Sequence, residues 1–481
     1  MAEKMLQFTK VERSMPAKRA PETRATDFDE IYSEFSLKAA GAQAARCSQC
    51  GVPFCQQGCP LSNNIPDWLK LSAEGRLEEA WEVSSATNNM PEICGRICPQ
   101  DRLCEGICTI EQSGHGTVTI GSVEKFITDT AWEKGWVKPI VPPRERAQSA
   151  GIIGAGPGGL AAAEQLRRKG YQVTVYDAYD RGGGLLVYGI PGFKLEKPVV
   201  ARRIKRLEDS GITFKFNTRV GQDVTLQELR KTHDTLLIAT GVYQAKDLKC
   251  PGVGASGVYA ALDYLTASNR KSFGDAVEEF DDGTLNADGK RVVVIGGGDT
   301  AMDCVRTAIR QGAKSVTCLY RRDRANMPGS QREVANAEEE GVVFEWLASP
   351  EAILDTKAGK VKAVRAAKMK LGEADASGRQ SPVKTGETMD VKADMVIKAL
   401  GFDPEDLPVL FGEPALTVNR WGAVRVDYAT METSLSGVYA AGDIVRGASL
   451  VVWAIKDGRD AAEAMHKAMK AAEKAAKVAA E

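Results

Sequence analysis

Two glycine-rich turns, each set between an apolar run and an alanine-rich run, restrict what this chain can fold into more than any other feature. The first lies in "AGIIGAGPGGLAAAEQLRRKG", where Gly154, Gly156 and Gly159 keep the spacing G-x-G-x-x-G. The second lies in "KRVVVIGGGDTAMDCVRTAIRQG", where Gly296, Gly298 and Ala301 keep it with alanine in the last place. A strand, a tight glycine turn and a helix in that order let the backbone approach a pyrophosphate at the helix N-terminus. Each helix leads to a further apolar strand. The text therefore predicts an α/β fold with two Rossmann-like dinucleotide-binding domains.

The end of each following strand separates the two nucleotides. "YQVTVYD" ends in Asp177, placed to bond a ribose hydroxyl, and "RGGGLLVYGIP" adds a flexible turn at Gly184 and Leu185 near the phosphates. "SVTCLY" ends instead in Arg321 and Arg322. Two guanidinium groups suit a 2′-phosphate, so the second turn, completed by Asp299 and Thr300, is read as a site for NADPH and not NADH. Far downstream, "GVYAAGDIVRGASLVVWAIKDG" supplies a strand, a turn with Gly442 and Asp443, and a helix. An early fingerprint paired with this late strand resembles the FAD domain of glutathione-reductase-like flavoproteins. The resemblance implies that Asp443 bonds the FAD ribitol and that the next helix points its N-terminus at the flavin, where its dipole favours the reduced ring's negative charge. Hydride then passes from NADPH to FAD between bound cofactors, with no side chain assigned to the transfer.

Eight of the chain's 11 cysteines fall in two clusters, C-x2-C-x4-C-x3-C-P from Cys47 to Pro60 and C-x3-C-P-x4-C-x3-C from Cys94 to Cys108. The other three, Cys250, Cys304 and Cys318, stand alone and read as packing residues. With no paired cysteines beside either glycine turn, disulfide reduction is not the expected outlet for electrons. Zinc sites favour two short pairs across a longer loop, often with histidine, and His115 alone is near. Dense thiols with proline after Cys59 and Cys98 look more like ferredoxin-type [4Fe–4S] ligation, in which the cysteine before proline serves the other cluster. Zinc is the structural alternative. Net charge is −1, so neither nucleic acid nor an anionic membrane is an expected partner. No apolar run reaches the eighteen or so residues of a membrane span and the start does not read as a secretory signal. A cytoplasmic setting, where thiols stay reduced, is expected.

The stretches "AARCSQCGVPFCQQGCPLSNNIPDW", "TNNMPEICGRICPQDRLCEGICT", "FKLEK", "GGGDTAMDCVRTAIRQGAKSVTCLYRRDRANMPGSQREV" and "AAGDIVRGASLVVWAI" together resemble the small subunits of bacterial NADPH-dependent glutamate synthases, over essentially the whole chain. That family's role implies electron input: FAD, two [4Fe–4S] clusters, then a large (α) subunit that forms glutamate from glutamine and 2-oxoglutarate at FMN. Nothing here resembles an amidotransferase or an FMN-binding barrel, so a hetero-oligomer is implied. The N-terminal module also resembles the electron-input end of dihydropyrimidine dehydrogenase. Carried over, that likeness gives Cys47, Cys50, Cys55 and Cys108 to one cluster and Cys59, Cys98 and Cys104 to the other. Glu124, in "IGSVEKF", stands where the dehydrogenase has a liganding glutamine, with Cys94 as the alternative ligand. A related flavin/iron–sulfur subunit, of pyrimidine dehydrogenase or ferredoxin:NADP type, is the second reading. The expected organisation is a helical cluster domain at 1–148, FAD domain at 149–268 and 404–481, and NADPH domain at 269–403.

Overall fold

The computed structural model describes residues 4–375 and 380–480. Helices dominate as far as residue 133. In Ile120–Glu133 the buried residues include Ile120, Val123, Glu124 and Ile127, one stripe at three- and four-residue spacing. The helix stops at Lys134 and Gly135, the latter at φ 67°, a conformation glycine adopts without a Cβ clash. Its stripe shares a core with Ile65, Trp68 and Leu69 of the helix Ile65–Ala73, which carries Pro66 in its first turn. The Trp68 indole is 1% exposed and donates to Asn63 Oδ1 at 2.7 Å, so its one polar atom is satisfied inside.

Two parallel sheets follow. The first runs Val438–Ala440, Thr235–Ile238, Ser149–Ile153, Gln172–Tyr176, Thr213–Lys215 in spatial order. The second runs Val258–Ala260, Met395–Lys398, Arg291–Ile295, Ser315–Tyr320, Val343–Trp346. Residues 292–295 and 236–238 are buried throughout, as apolar runs in the middle of covered parallel sheets must be. Against the first sheet pack the helix Pro157–Arg168 and the C-terminal helix Val451–Ala480. They touch through glycine: a Cβ on Gly458 would come within 2.1 Å of the Gly158 carbonyl oxygen.

The second sheet is inserted into the first, between Ile238 and Val438, and the two crossings are joined by the short antiparallel pair Gln244–Ala245 with Phe402–Asp403. The strand Val258–Ala260 already pairs with Met395–Lys398, so the second sheet begins before the expected start of the NADPH domain at 269. A three-residue edge strand is too short to show a pattern of its own. A three-stranded antiparallel sheet, Ala348–Asp355, Val361–Ala374 and Gln380–Lys392, covers one face of this unit and was not foreseen. No described helix is long and apolar enough to cross a membrane.

Candidate functional site

A cavity of about 300 Å³ opens where the three regions meet. Its wall carries Gly154, Gly156, Asp177, Leu185, Gly442 and Asp443 from the first sheet's turns, Asp299 and Thr300 from the second, and Cys98 and Pro99 from the helical region. The two fingerprints use their glycines alike. Gly154 takes φ 110° and a Cβ there would lie 2.3 Å from the Ala239 carbonyl oxygen. Gly296 takes φ 150° and meets the Ala399 oxygen at 2.2 Å. A Cβ on Gly156 or on Gly298, by contrast, would meet no atom within 4 Å. Each second glycine thus faces open space at the N-terminus of a twelve-residue helix, Pro157–Arg168 or Asp299–Arg310, which fits a pyrophosphate. Gly159 is in the packing layer, 2.0 Å from the Gly154 oxygen if it had a Cβ, and Ala301 is fully buried in the second unit's core. Gly184 takes φ 54° against the Gly156 backbone and lets the Leu185 turn close on the first fingerprint.

Asp177 ends its strand with both oxygens engaged: Ala155 N–H donates to Oδ2 at 2.6 Å and Tyr179 N–H to Oδ1 at 2.8 Å. Burial raises its carboxyl and those two bonds oppose the rise, leaving lone pairs for a ribose hydroxyl. Burial pushes Asp443 up to about 6, opposed by a bond from the Ser449 backbone. A half-buried carboxylate in a cavity wall has lone pairs open to a further donor, which a ribitol hydroxyl supplies. The first residues of the helix Val451–Ala480 border the same space. At the second unit, Arg324 is taken by Glu338 at 2.7 Å. Arg321 is exposed, and Nε of the half-buried Arg322 has no partner among the described residues. Both lie off the main cavity, just beyond the strand Ser315–Tyr320.

Sequence reasoning missed a charged cluster in this wall. Lys194 Nζ lies 2.8 Å from Asp303 and 3.9 Å from Glu333, three residues drawn from both nucleotide units. Its signal was a lysine between Phe193 and Leu195, both buried. Arg332 was missed too; it donates to Gln100 Oε1 at 3.0 Å, across to the helical region.

The thiols divide between two smaller cavities. Cys47, Cys50, Cys55 and Cys108 line one. Cys59, Cys94, Cys98, Cys104 and Glu124 line the other. The structure thereby brings each carried-over set together, with Cys94 and Glu124 on the same wall. Among the described residues no three His, Cys, Asp or Glu side chains converge as a single ion requires. Donors that ring a void four or five at a time suit one thiol per iron of a cluster. Burial pushes Cys55 up to about 12 and Cys59 up to about 11, so these thiols become thiolates only beside a strong positive charge such as iron. Glu124, pushed by burial up to about 8, accepts from Ser84 Oγ at 3.2 Å and Asn88 Nδ2 at 3.4 Å. His115 lines neither cavity and stacks edge-on with Phe8. Cys304 and Cys318 are buried in the second unit's core and Cys250 packs beside the antiparallel sheet.

Residues 24–136 match the family described as dihydropyrimidine dehydrogenase domain II, 4Fe-4S cluster, and residues 149–458 match pyridine nucleotide-disulphide oxidoreductase. In fold the chain is similar to Mycobacterium tuberculosis FprA in complex with NADPH, with a TM-score of 0.58 and 22% identity over 69% of this chain and 86% of that one. Fold and site together define an NADPH-dependent oxidoreductase of flavin and 4Fe–4S type. The chain is 66% identical over 470 residues to the glutamate synthase [NADPH] small chain of Azospirillum brasilense, covering 98% of this chain and 97% of the other. Identity to the Escherichia coli small chain is 46% over 467 residues, covering 96% and 98%. It belongs to the family of NADPH glutamate synthase small chains. The putative oxidoreductase AegA of E. coli is also 46% identical, over 94% of this chain and 69% of its own length.

Proposed function

We propose that this chain is the electron-input subunit of a glutamate synthase, working with a large, FMN-containing subunit that makes glutamate from glutamine and 2-oxoglutarate. The carrying observation is Cys98, which lines both the flavin cavity and the second thiol cavity. Ile120 in turn lines both thiol cavities, so the three voids follow one another. When bound, flavin and clusters supply the conversion of a hydride into single electrons. The chain's residues hold and order them. Gly154, Gly156, Asp177 and Asp443 seat FAD, while Gly296, Gly298, Arg321 and Arg322 seat NADPH. Cys59, Cys98 and Cys104 with Glu124 hold the cluster next to the flavin, and Cys47, Cys50, Cys55 and Cys108 hold the outer one. The order implied is flavin cavity, second thiol set, first thiol set, then partner.

The test is an anaerobic NADPH titration of the purified chain with iron and flavin assayed on the same sample. About eight irons and one FAD per chain, with flavin bleaching on NADPH, support the reading. Bleaching with zinc in place of iron overturns the relay. The likeness to AegA favours a second reading, the same module feeding a different oxidoreductase; the identity of the co-purifying large chain decides between them.

A further inference from the structure

We propose that the loop over the outer thiol set, residues 48–64 around Val52, is the docking face for the electron-accepting large subunit, and that this docking is apolar, not charge-driven. The inference rests on the electron-export reading above. Electrons that enter at the flavin cavity reach the first thiol set last, because Cys98 joins the flavin and second cavities while Ile120 joins the second and first. Within that set Cys47 and Cys108 are buried while Cys50 and Cys55 are half-buried, so a one-electron acceptor seats over Cys50 and Cys55.

The surface there has the composition of an interface. Residues 47–66 hold no Asp, Glu, Lys or Arg, in a chain that is 26% charged. Val52 is 56% exposed and Phe54 45% exposed, on the segment that separates Cys50 from Cys55. The other exposed positions of the loop, Gly51, Gln57, Ser62 and Asn64, are uncharged as well. A charge-free exposed face with an aromatic residue in it is the core composition of a protein–protein contact. Its occupant is accordingly a protein with a matching apolar patch close to its own redox centre. A strongly acidic or basic carrier protein finds no complementary charge on this loop.

The experiment uses the full chain with its cofactors and the purified large subunit. Val52→Lys places a charge at the centre of the face without touching a proposed cluster ligand. NADPH-driven reduction of ferricyanide and iron content are expected to stay at wild-type levels, while affinity for the large subunit falls about tenfold or more. Gln57→Lys is the second variant, read in the same way if the first loses iron. Val409→Lys, at another exposed apolar position in the first-sheet unit, is expected to bind as wild type. Wild-type affinity is expected to change little when salt is raised from about 0.05 to about 0.5 M. Binding within about twofold of wild type in both loop variants, or a steep loss of wild-type affinity with salt, overturns the docking face. A wild-type chain that does not bind the large subunit at all overturns the electron-input reading instead.

Discussion

Arg24 and Glu340 form an ion pair at 2.9 Å in which neither side chain is exposed. Glu340 also accepts from Arg306 and Arg310, each at 2.7 Å. Arg24 belongs to the segment before the thiol helices and Glu340 caps the helix Gln331–Glu339, so one carboxylate ties the helical region to the NADPH unit. Burial alone raises this carboxyl, but the bonds from Arg306 and Arg310 outweigh it and hold Glu340 at about 2. Glu333 is likewise held at about 2, where Arg306 and Lys194 overcome burial.

These depressed values set an acid limb. The stabilisation is fully present above the ordinary carboxylate range and is lost as pH falls through the folded-state values, a window from about 5 down to about 2. Glu340→Gln leaves three buried guanidiniums without their shared partner and is expected to lower unfolding free energy by about 3–5 kcal/mol. Denaturant unfolding across that window checks both statements: the variant's stability should fall less steeply with acid than the wild type's. Parallel limbs would show that Glu340 is not the group responsible.

The glycine turns give a prediction that separates binding from folding. Gly156→Ala puts a methyl group into open space where the pyrophosphate is expected, so FAD content should fall while the thermal stability of the flavin-free protein stays near wild type. Gly159→Ala does the reverse, since its Cβ would lie 2.0 Å from the Gly154 oxygen. An overpacked contact of that kind costs about 1–3 kcal/mol before any ligand is present. Flavin absorbance per chain, with unfolding of the deflavinated samples, reads the two effects apart.

Arg321→Ala and Arg322→Ala test the choice of nicotinamide cofactor. Hydrogen bonds to a charged group contribute about 1.5–3 kcal/mol each. Loss of one is therefore expected to raise KM for NADPH by about 10- to 100-fold. KM for NADH, which has no 2′-phosphate to lose, should move by no more than about twofold. Steady-state reduction of ferricyanide with each nucleotide measures this directly. Equal effects on both would assign the arginines to the protein surface.

Much of the site was legible because its chemistry is local in sequence. Gly154, Gly156, Asp177 and the eight clustered cysteines announce themselves by spacing, Asp443 and the division of the thiols only by resemblance to known families, and the structure gathers them around three adjoining voids. What was not legible depends on residues far apart in the chain. Arg24 and Glu340 are 316 positions apart, and nothing near either marks the other. Lys194, Asp303 and Glu333 meet only because the second sheet is inserted between the strands Thr235–Ile238 and Val438–Ala440. The edge strand Val258–Ala260 escaped notice for a different reason: three residues carry no periodicity, and its place is set by pairing with Met395–Lys398.

The ligand set of the inner cluster is the sharpest question that mutation can answer. Glu124 lies on the buried stripe of Ile120–Glu133, in the wall shared by Cys59, Cys98 and Cys104. Cys94 lies on the same wall, its Sγ 3.8 Å from Asn88 Oδ1. Asn88 also donates to Glu124, so the two candidates hang on one amide. If Glu124 is the ligand, Cys94→Ala should keep about eight irons per chain while Glu124→Ala drops to about four. Glu124→Cys should then restore iron with an altered electron paramagnetic resonance signal, because thiolate is a softer donor than carboxylate. Iron loss in Cys94→Ala with full iron in Glu124→Ala would give the fourth position to Cys94. The carboxylate would then be a buried acid hydrogen-bonded by Ser84 and Asn88 alone.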